Sequence, residues 1–202
     1  MSDAAAPGPA VFIDKDGTLV ENVPFNVDPQ LLTFTPRAMH GLRLLQGCGY
    51  RLVVVTNQPG VAMGRFDEAA LKRLQTALGS RLAAHGIRLS GFHACPHSQG
   101  GGCACRKPAP GLLLRAAAEL NIDLERSWMV GDILDDVQAG HRAGCRSVLL
   151  DVGNETEWQL TPERTPEHRV TDLWQAACRI VKEDFPARRP APAEAPMPKE
   201  FS

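Results

Sequence analysis

Three short runs of almost unbroken apolar residues decide what this chain can fold into: Ala10-Val11-Phe12-Ile13, Leu52-Val53-Val54-Val55 and Trp128-Met129-Val130. Each is too short for a helix and rich in β-branched or aromatic side chains, the mark of a strand buried on both faces. Each also stops abruptly, at Asp14, at Thr56 and, one glycine later, at Asp132. Between the runs the period changes. Residues 36–47 carry Met39, Leu42, Leu44 and Leu45 at helical spacing and end at Gly47 and Gly49. Asp67 caps a second helix to about His85, with Ala70, Leu71, Leu74, Leu78 and Leu82 on one face. Pro110-Gly111 opens a third, to about Asn121, a fourth follows Asp132, and residues 171–184 make a last one. Further strands are predicted over residues 90–94 and 145–151. Strand–helix alternation of this kind gives an α/β fold: a doubly wound parallel sheet in a three-layer α/β/α sandwich, with right-handed crossovers. Sites in such folds lie beyond the carboxyl ends of the strands. Asp14, Thr56 and Asp132 all fall there.

The first strand runs straight into Asp14-Lys15-Asp16-Gly17-Thr18. Strand side chains alternate, so Asp14 and Asp16 share one side, and Gly17 lets the backbone turn sharply. Two carboxylates converging at the end of a buried strand are costly unless a cation sits between them. A hard divalent ion with oxygen ligands, Mg2+, suits the pair. With phosphate beside it, one carboxylate can attack phosphorus and the other can move protons. Lys107 stands just ahead of a helix amino terminus, where an anion is favoured. Asp132 is followed by Asp135 and Asp136, either of which could join it.

Composition narrows the class. The 22 basic and 23 acidic residues cancel, so no nucleic-acid surface is expected. No apolar run reaches the ~18–20 residues of a membrane span, and residues 1–9 lack the pattern of a signal peptide. The chain is therefore expected to be cytoplasmic and to work as a monomer. The domain should cover residues 10–184, between a frayed tail over 1–9 and a disordered Pro/Ala/Arg-rich tail over 185–202. Residues 19–35 read as a loop or small flap able to close over the site. Cys95, His97, Cys103 and Cys105 fall within eleven residues and suit a closed tetrahedral zinc site. Such a staple would hold a glycine-rich loop and so fix Arg106 and Lys107.

The Asp-x-Asp-Gly-Thr segment resembles the nucleophile loop of the haloacid dehalogenase (HAD) superfamily of phosphohydrolases. That likeness demands a Thr or Ser ending the next strand, then a Lys, then an acidic pair after a later strand. Thr56, Lys107 and Gly131-Asp132 meet it in order. The resemblance implies that Asp14 is the nucleophile of an aspartyl-phosphate route and that Asp16 is its general acid and base. It implies that Mg2+ is held by Asp14, the backbone carbonyl of Asp16 and Asp132. The second acid of the late motif usually stands four residues after the first, which implies Asp136. Thr56 and the Asn57 amide would bind phosphoryl oxygens, and Lys107 would add positive charge.

Cys-x-His…Cys-x-Cys-Arg-Lys-Pro over 95–108 is similar to the zinc-loop branch of that superfamily, which holds heptose-1,7-bisphosphate phosphatases and histidinol-phosphate phosphatases. Its members lack a large cap domain. Thr56-Asn57-Gln58 with Gly60-Val61-Ala62-x-Gly64-x-Phe66 is closer to the heptose enzymes. The branch implies a small phosphorylated sugar as substrate, a heptose bisphosphate first, with histidinol phosphate or another sugar phosphate as alternatives. It implies substrate contacts from Asn22, Asn57, Gln58 and Arg106. The chain departs from the heptose pattern at Ile133, where a Lys is usual, at Pro59, and at Asn22-Val23-Pro24-Phe25 in the flap. A zinc-stapled binding module with a decayed site would have lost one of Asp14, Asp16, Lys107 or Asp132. None is lost.

Overall fold

The structure, a computed structural model, describes residues 6–186. Six parallel strands form one sheet: β1 (Ala10–Ile13), β2 (Arg51–Asn57), β3 (Leu89–Cys95), β4 (Trp128–Gly131), β5 (Arg146–Leu150) and β6 (His168–Val170). Their order is β3-β2-β1-β4-β5-β6. The chain moves outward from β1 to β3, then returns to the other side of β1 for β4. The neighbouring loops above β1 and β4 therefore diverge, and a crevice opens between them.

Helices cover both faces. Side chains of β1 alternate between two cores, Val11 and Ile13 in one, Ala10 and Phe12 in the other. The first core is closed by α1 (Ala38–Gly47), α2 (Glu68–Ala84) and α5 (Leu173–Asp184), through Leu42, Leu45, Leu74, Leu78, Leu82, Ala176 and Ile180. The second is closed by α3 (Gly111–Leu120) and α4 (Leu134–Ala143), through Leu112, Leu113, Ala116, Ala139 and Ala143. Asp67 caps α2 by accepting from the Ala70 amide at 2.7 Å, and Asp172 caps α5 by accepting from Gln175 at 2.7 Å. At the foot of the sheet, Trp128 Nε1 donates to Asp184 Oδ2 (3.0 Å) and the Arg146 guanidinium lies 4.0 Å over the Trp128 ring. That network fastens the last helix to the end of the sheet opposite the crevice.

Four expectations shift. The first helix starts at Ala38, not 36, because Arg37 takes a left-handed turn (φ 61°) and reaches Asp172 at 3.0 Å. Strand β6 has no counterpart in the sequence reading; it has three residues, with Val170 alone buried. The paired backbone begins before residue 10: the Gly8 amide donates to Asn121 O (3.2 Å) and Pro9 O accepts from the Arg51 amide (3.0 Å). Phe185 packs edge-on against Tyr50, so the C-terminal contacts run past 184. The rest of the expected tails, residues 1–5 and 187–202, lies outside the described residues. No helix among the described residues is long and apolar enough to cross a membrane.

The flap over 19–35 is a closed loop. Its ends are tied by Thr35 Oγ1 donating to Thr18 O (2.7 Å) and by the Glu21 amide donating to Thr33 O (2.8 Å). Its tip carries a single 3-10 turn, Pro29–Leu31, capped by Asp28.

Candidate active site

The Asp14 amide donates to Val130 O (2.9 Å), which carries the sheet pairing one residue past β1 and sets Asp14 at the rim. Its carboxylate Oδ1 accepts from Lys107 Nζ at 2.5 Å. The same ammonium lies 2.6 Å from Asp136 Oδ1 and donates to Val55 O at 3.0 Å. Lys107 is thus fully buried yet has two hydrogen-bond acceptors and a second carboxylate in ion-pair contact. Against its burial, the Asp136 and Asp14 carboxylates hold its pKa above the ordinary lysine value. The Lys107 backbone is pinned as well: Asn57 Nδ2 donates to Lys107 O and Asn57 Oδ1 accepts from the Lys107 amide, both at 3.1 Å.

Asp14, Asp132 and Asp136 each offer a carboxylate oxygen, all within 4.8 Å of one another. Three carboxylates face one ammonium there. Burial and the Asp14 charge push Asp132 up to about 6. Complete burial pushes Asp136 up to about 8, against the pull of Lys107. A divalent cation supplies the charge this cluster lacks, and all-oxygen donors are what Mg2+ takes. Asp135 points elsewhere and pairs with Arg164 at 3.2 Å, so the fold itself selects Asp136 for the cluster. The Asp16 carboxylate is not in it. That side chain pairs with buried Lys15 and accepts from Gln58 Nε2 at 2.9 Å. Burial raises its pKa, an effect that Lys15 opposes and Asp14 reinforces.

Gly17 is required where it stands. It has φ +82°, and an added Cβ would lie 2.2 Å from Asp132 Oδ2 and 2.4 Å from Asn154 Nδ2. Asp132 accepts from Thr18 Oγ1 (3.0 Å) and from Asn154 Nδ2 (2.7 Å).

These groups line a cavity of about 200 Å3, with Asp14, Asp16, Thr56, Lys107, Asp132, Ile133 and Asn22 in its walls. Of the residues expected to face substrate, Asn22 and Asn57 line this cavity, though the Asn57 side chain is committed to Lys107. Gln58 is buried behind the cavity, bridging Asp16 and Thr56 Oγ1 (3.0 Å). Arg106 lines a neighbouring cavity of about 350 Å3, with Arg142 and Gly100 to Gly102; Lys107 is common to both cavities. Lys15, Thr18 and Asn154 escaped the sequence reading. A lysine between two acids looks solvated, and nothing local marks an Asn twenty-two residues beyond Asp132. The usable signal was position, since Asn154 follows the carboxyl end of β5.

The cysteine loop closes on itself. Cys105 Sγ lies 3.2 Å from Cys95 Sγ, 3.6 Å from Cys103 Sγ and 3.3 Å from His97 Nδ1. Tetrahedral bonds of ~2.3 Å to sulfur put ligand atoms about 3.7 Å apart, so the four atoms are nearly at zinc spacing and far from disulfide length. Burial pushes the Cys95 thiol up to about 12. The set fits a soft, thiolate-preferring cation.

A family model described as HAD-hydrolase-like matches residues 104–176. The chain is 40% identical over 147 residues to the D-glycero-beta-D-manno-heptose-1,7-bisphosphate 7-phosphatase of Pasteurella multocida, covering 70% of this chain and 80% of that protein. It is 35% identical over 196 residues to the protein of the same name from Escherichia coli K12, covering 89% and 97%. A crystal structure of the D,D-heptose 1,7-bisphosphate phosphatase of B. bronchiseptica, complexed with magnesium and phosphate, superposes with a TM-score of 0.77 at 31% identity, covering 87% of this chain and 99% of that one.

Proposed function

The chain belongs to the family of HAD-like phosphatases that includes the heptose-1,7-bisphosphate 7-phosphatases, and on that premise we propose that it removes the 7-phosphate of D-glycero-beta-D-manno-heptose 1,7-bisphosphate. The observation that carries the reading is the meeting of Asp14, Lys107 and Asp132, from three distant segments, at one small cavity.

Asp14 attacks the C7 phosphorus while the P–O7 bond breaks, and Asp16 gives its proton to the departing O7. Water then hydrolyses the aspartyl-phosphate, its proton passing to Asp16 and its oxygen leaving with phosphate. Asp14, Asp132 and the Asp16 carbonyl would hold Mg2+ in this reading, with Asp136 adding its charge. Bound Mg2+ offsets negative charge on the phosphoryl oxygens. Lys107 holds Asp14 in place and adds positive charge beside the phosphoryl group. Thr56 Oγ1 accepts from Gln58, which leaves its own hydrogen for a phosphoryl oxygen. Gln58 and Lys15 aim the Asp16 carboxylate; burial, by raising its pKa, favours the protonated acid. The Cys95, His97, Cys103 and Cys105 set is proposed to hold structural zinc.

The test is phosphate release with Mg2+ from both anomers of the bisphosphate, histidinol phosphate and simple sugar phosphates. A preference for the heptose bisphosphate over the other substrates of at least ~100-fold in kcat/KM, about 2.7 kcal/mol, is expected. A flat profile, or a preference for histidinol phosphate, would overturn the substrate and leave the phosphatase chemistry standing.

The second phosphate is proposed to sit in the cavity lined by Arg106 and Arg142, which adjoins the first through Lys107. Arg106→Ala is therefore expected to raise KM for the bisphosphate by about 10–100-fold, the value of a charge-assisted hydrogen bond. Turnover of a monophosphate should change by less than about threefold in the same variant, since it leaves that cavity empty. Equal losses on both substrates would remove Arg106 from substrate recognition.

A further inference from the structure

We propose that Asn154 is a positioning residue that sets the orientation of the Asp132 carboxylate toward its divalent cation. The inference rests on the reading of Asp132 as a metal ligand.

A carboxylate at the end of a strand can rotate about its last bond, and a freely turning ligand binds a cation poorly. Asp132 does not turn freely. Thr18 Oγ1 donates to Oδ1 at 3.0 Å and Asn154 Nδ2 donates to Oδ2 at 2.7 Å. The two donors come from opposite sides, one from the loop after β1 and one from the segment after β5. Each carboxylate oxygen has two acceptor sites, so one remains on each for a cation.

Asn154 also lines the cavity, and its side chain is committed to Asp132. It is exposed, so packing does not require it there. The segment that carries it is docked by the next residue: Glu155 Oε2 accepts from the Leu134 amide at 2.7 Å, in the first turn of α4, and Glu155 Oε1 accepts from the Glu157 amide at 2.7 Å. Consecutive side chains thus grip the Asp132 carboxylate and the helix that begins beside it. Gly17 leaves the room for this, since a Cβ there would collide with both Asp132 Oδ2 and Asn154 Nδ2. Partners that hydrogen-bond a metal-ligating carboxylate fix its direction, and losing one typically costs ~10–100-fold in metal affinity.

The probe is Mn2+, titrated into the full-length protein with free ion followed by electron paramagnetic resonance. Asn154→Ala and Asn154→Leu are each expected to weaken Mn2+ binding by about 10–100-fold. Because the position is exposed, the Tm of either variant without Mn2+ should stay within about 2 °C of the parent. Asp132→Asn is expected to abolish binding at the site. Parental affinity in both Asn154 variants, with binding lost in Asp132→Asn, would overturn this inference alone. Parental affinity in Asp132→Asn would overturn the metal reading on which it rests.

Discussion

Asp14→Asn is expected to lower kcat by roughly 10^4–10^6-fold, the scale of nucleophile removal in hydrolases, while leaving the fold intact. The amide matches the carboxylate in size but is too weak a nucleophile to form the acyl-phosphate bond. The substitution is gentle structurally because the asparagine oxygen can still accept from Lys107, which also keeps Val55 O at 3.0 Å and its ion-pair contact with Asp136 Oδ1 at 2.6 Å. It also removes one of three crowded negative charges. The Asp14 charge is among the causes that push Asp132 up to about 6, so that carboxyl should ionise more readily in the variant. A thermal melt of the metal-free variant is thus expected at or above the parental Tm, alongside the loss of phosphate release. Activity above about 1% of parent would mean that water attacks phosphorus directly and that Asp14 serves the cation alone. The matching change at Asp136 behaves differently. That group is fully buried against Lys107, and neutralising it loosens the ammonium that Asp14 needs.

The parts of this molecule that could be read from its sequence share a physical cause. β1, β2 and β4 are buried on both faces, so they must be nearly all apolar, and a polar residue that interrupts such a run marks the rim of the sheet. That logic found Asp14, Thr56 and Asp132, and the order of the motifs added Lys107. The cysteine–histidine cluster was visible because all four residues lie within one short loop. What escaped was decided by partners far along the chain. Asn57 lines the cavity as expected of a substrate contact, with its side chain on Lys107 fifty residues away, whereas the Gln58 side chain is taken by Asp16, forty-two residues away. Lys15 is the exception, since its partner Asp16 is the next residue, and its burial has no signature in composition. β6 pairs along one edge with β5 and buries a single side chain, so no apolar run announces it. The resemblance implied Asp136 over Asp135 by spacing alone, and the fold supplies the physical reason: adjacent helix positions face about 100° apart, and Asp136 is the one that looks inward.

Removing zinc is expected to have the largest effect on stability. Structural zinc contributes ~10–16 kcal/mol in small zinc domains, comparable with the whole net stability of a domain, ~5–15 kcal/mol. Here the loss should reach the rim of the second core, where Cys95 and Cys105 are buried and Cys103 packs, and spare the first core, which holds none of the loop's residues. Without the ion, thiols and an imidazole crowded at 3.2–3.7 Å have nothing to hold them, and a loop with Gly100 and Gly102 at positive φ should open. Arg106 and Lys107 directly follow the last ligand, Cys105. The Asn57 bonds to the Lys107 backbone survive, so the ammonium should stray rather than leave. A drop in kcat of about 10–100-fold is expected, smaller than for loss of the nucleophile. Metal analysis of the purified protein should find one zinc per chain, and Cys105→Ser should lack it. After treatment with a zinc chelator, Mg2+ alone should fail to restore activity, whereas Zn2+ followed by Mg2+ should succeed. Full activity in zinc-free protein with Mg2+ would show that the cysteine loop neither needs zinc nor governs Lys107.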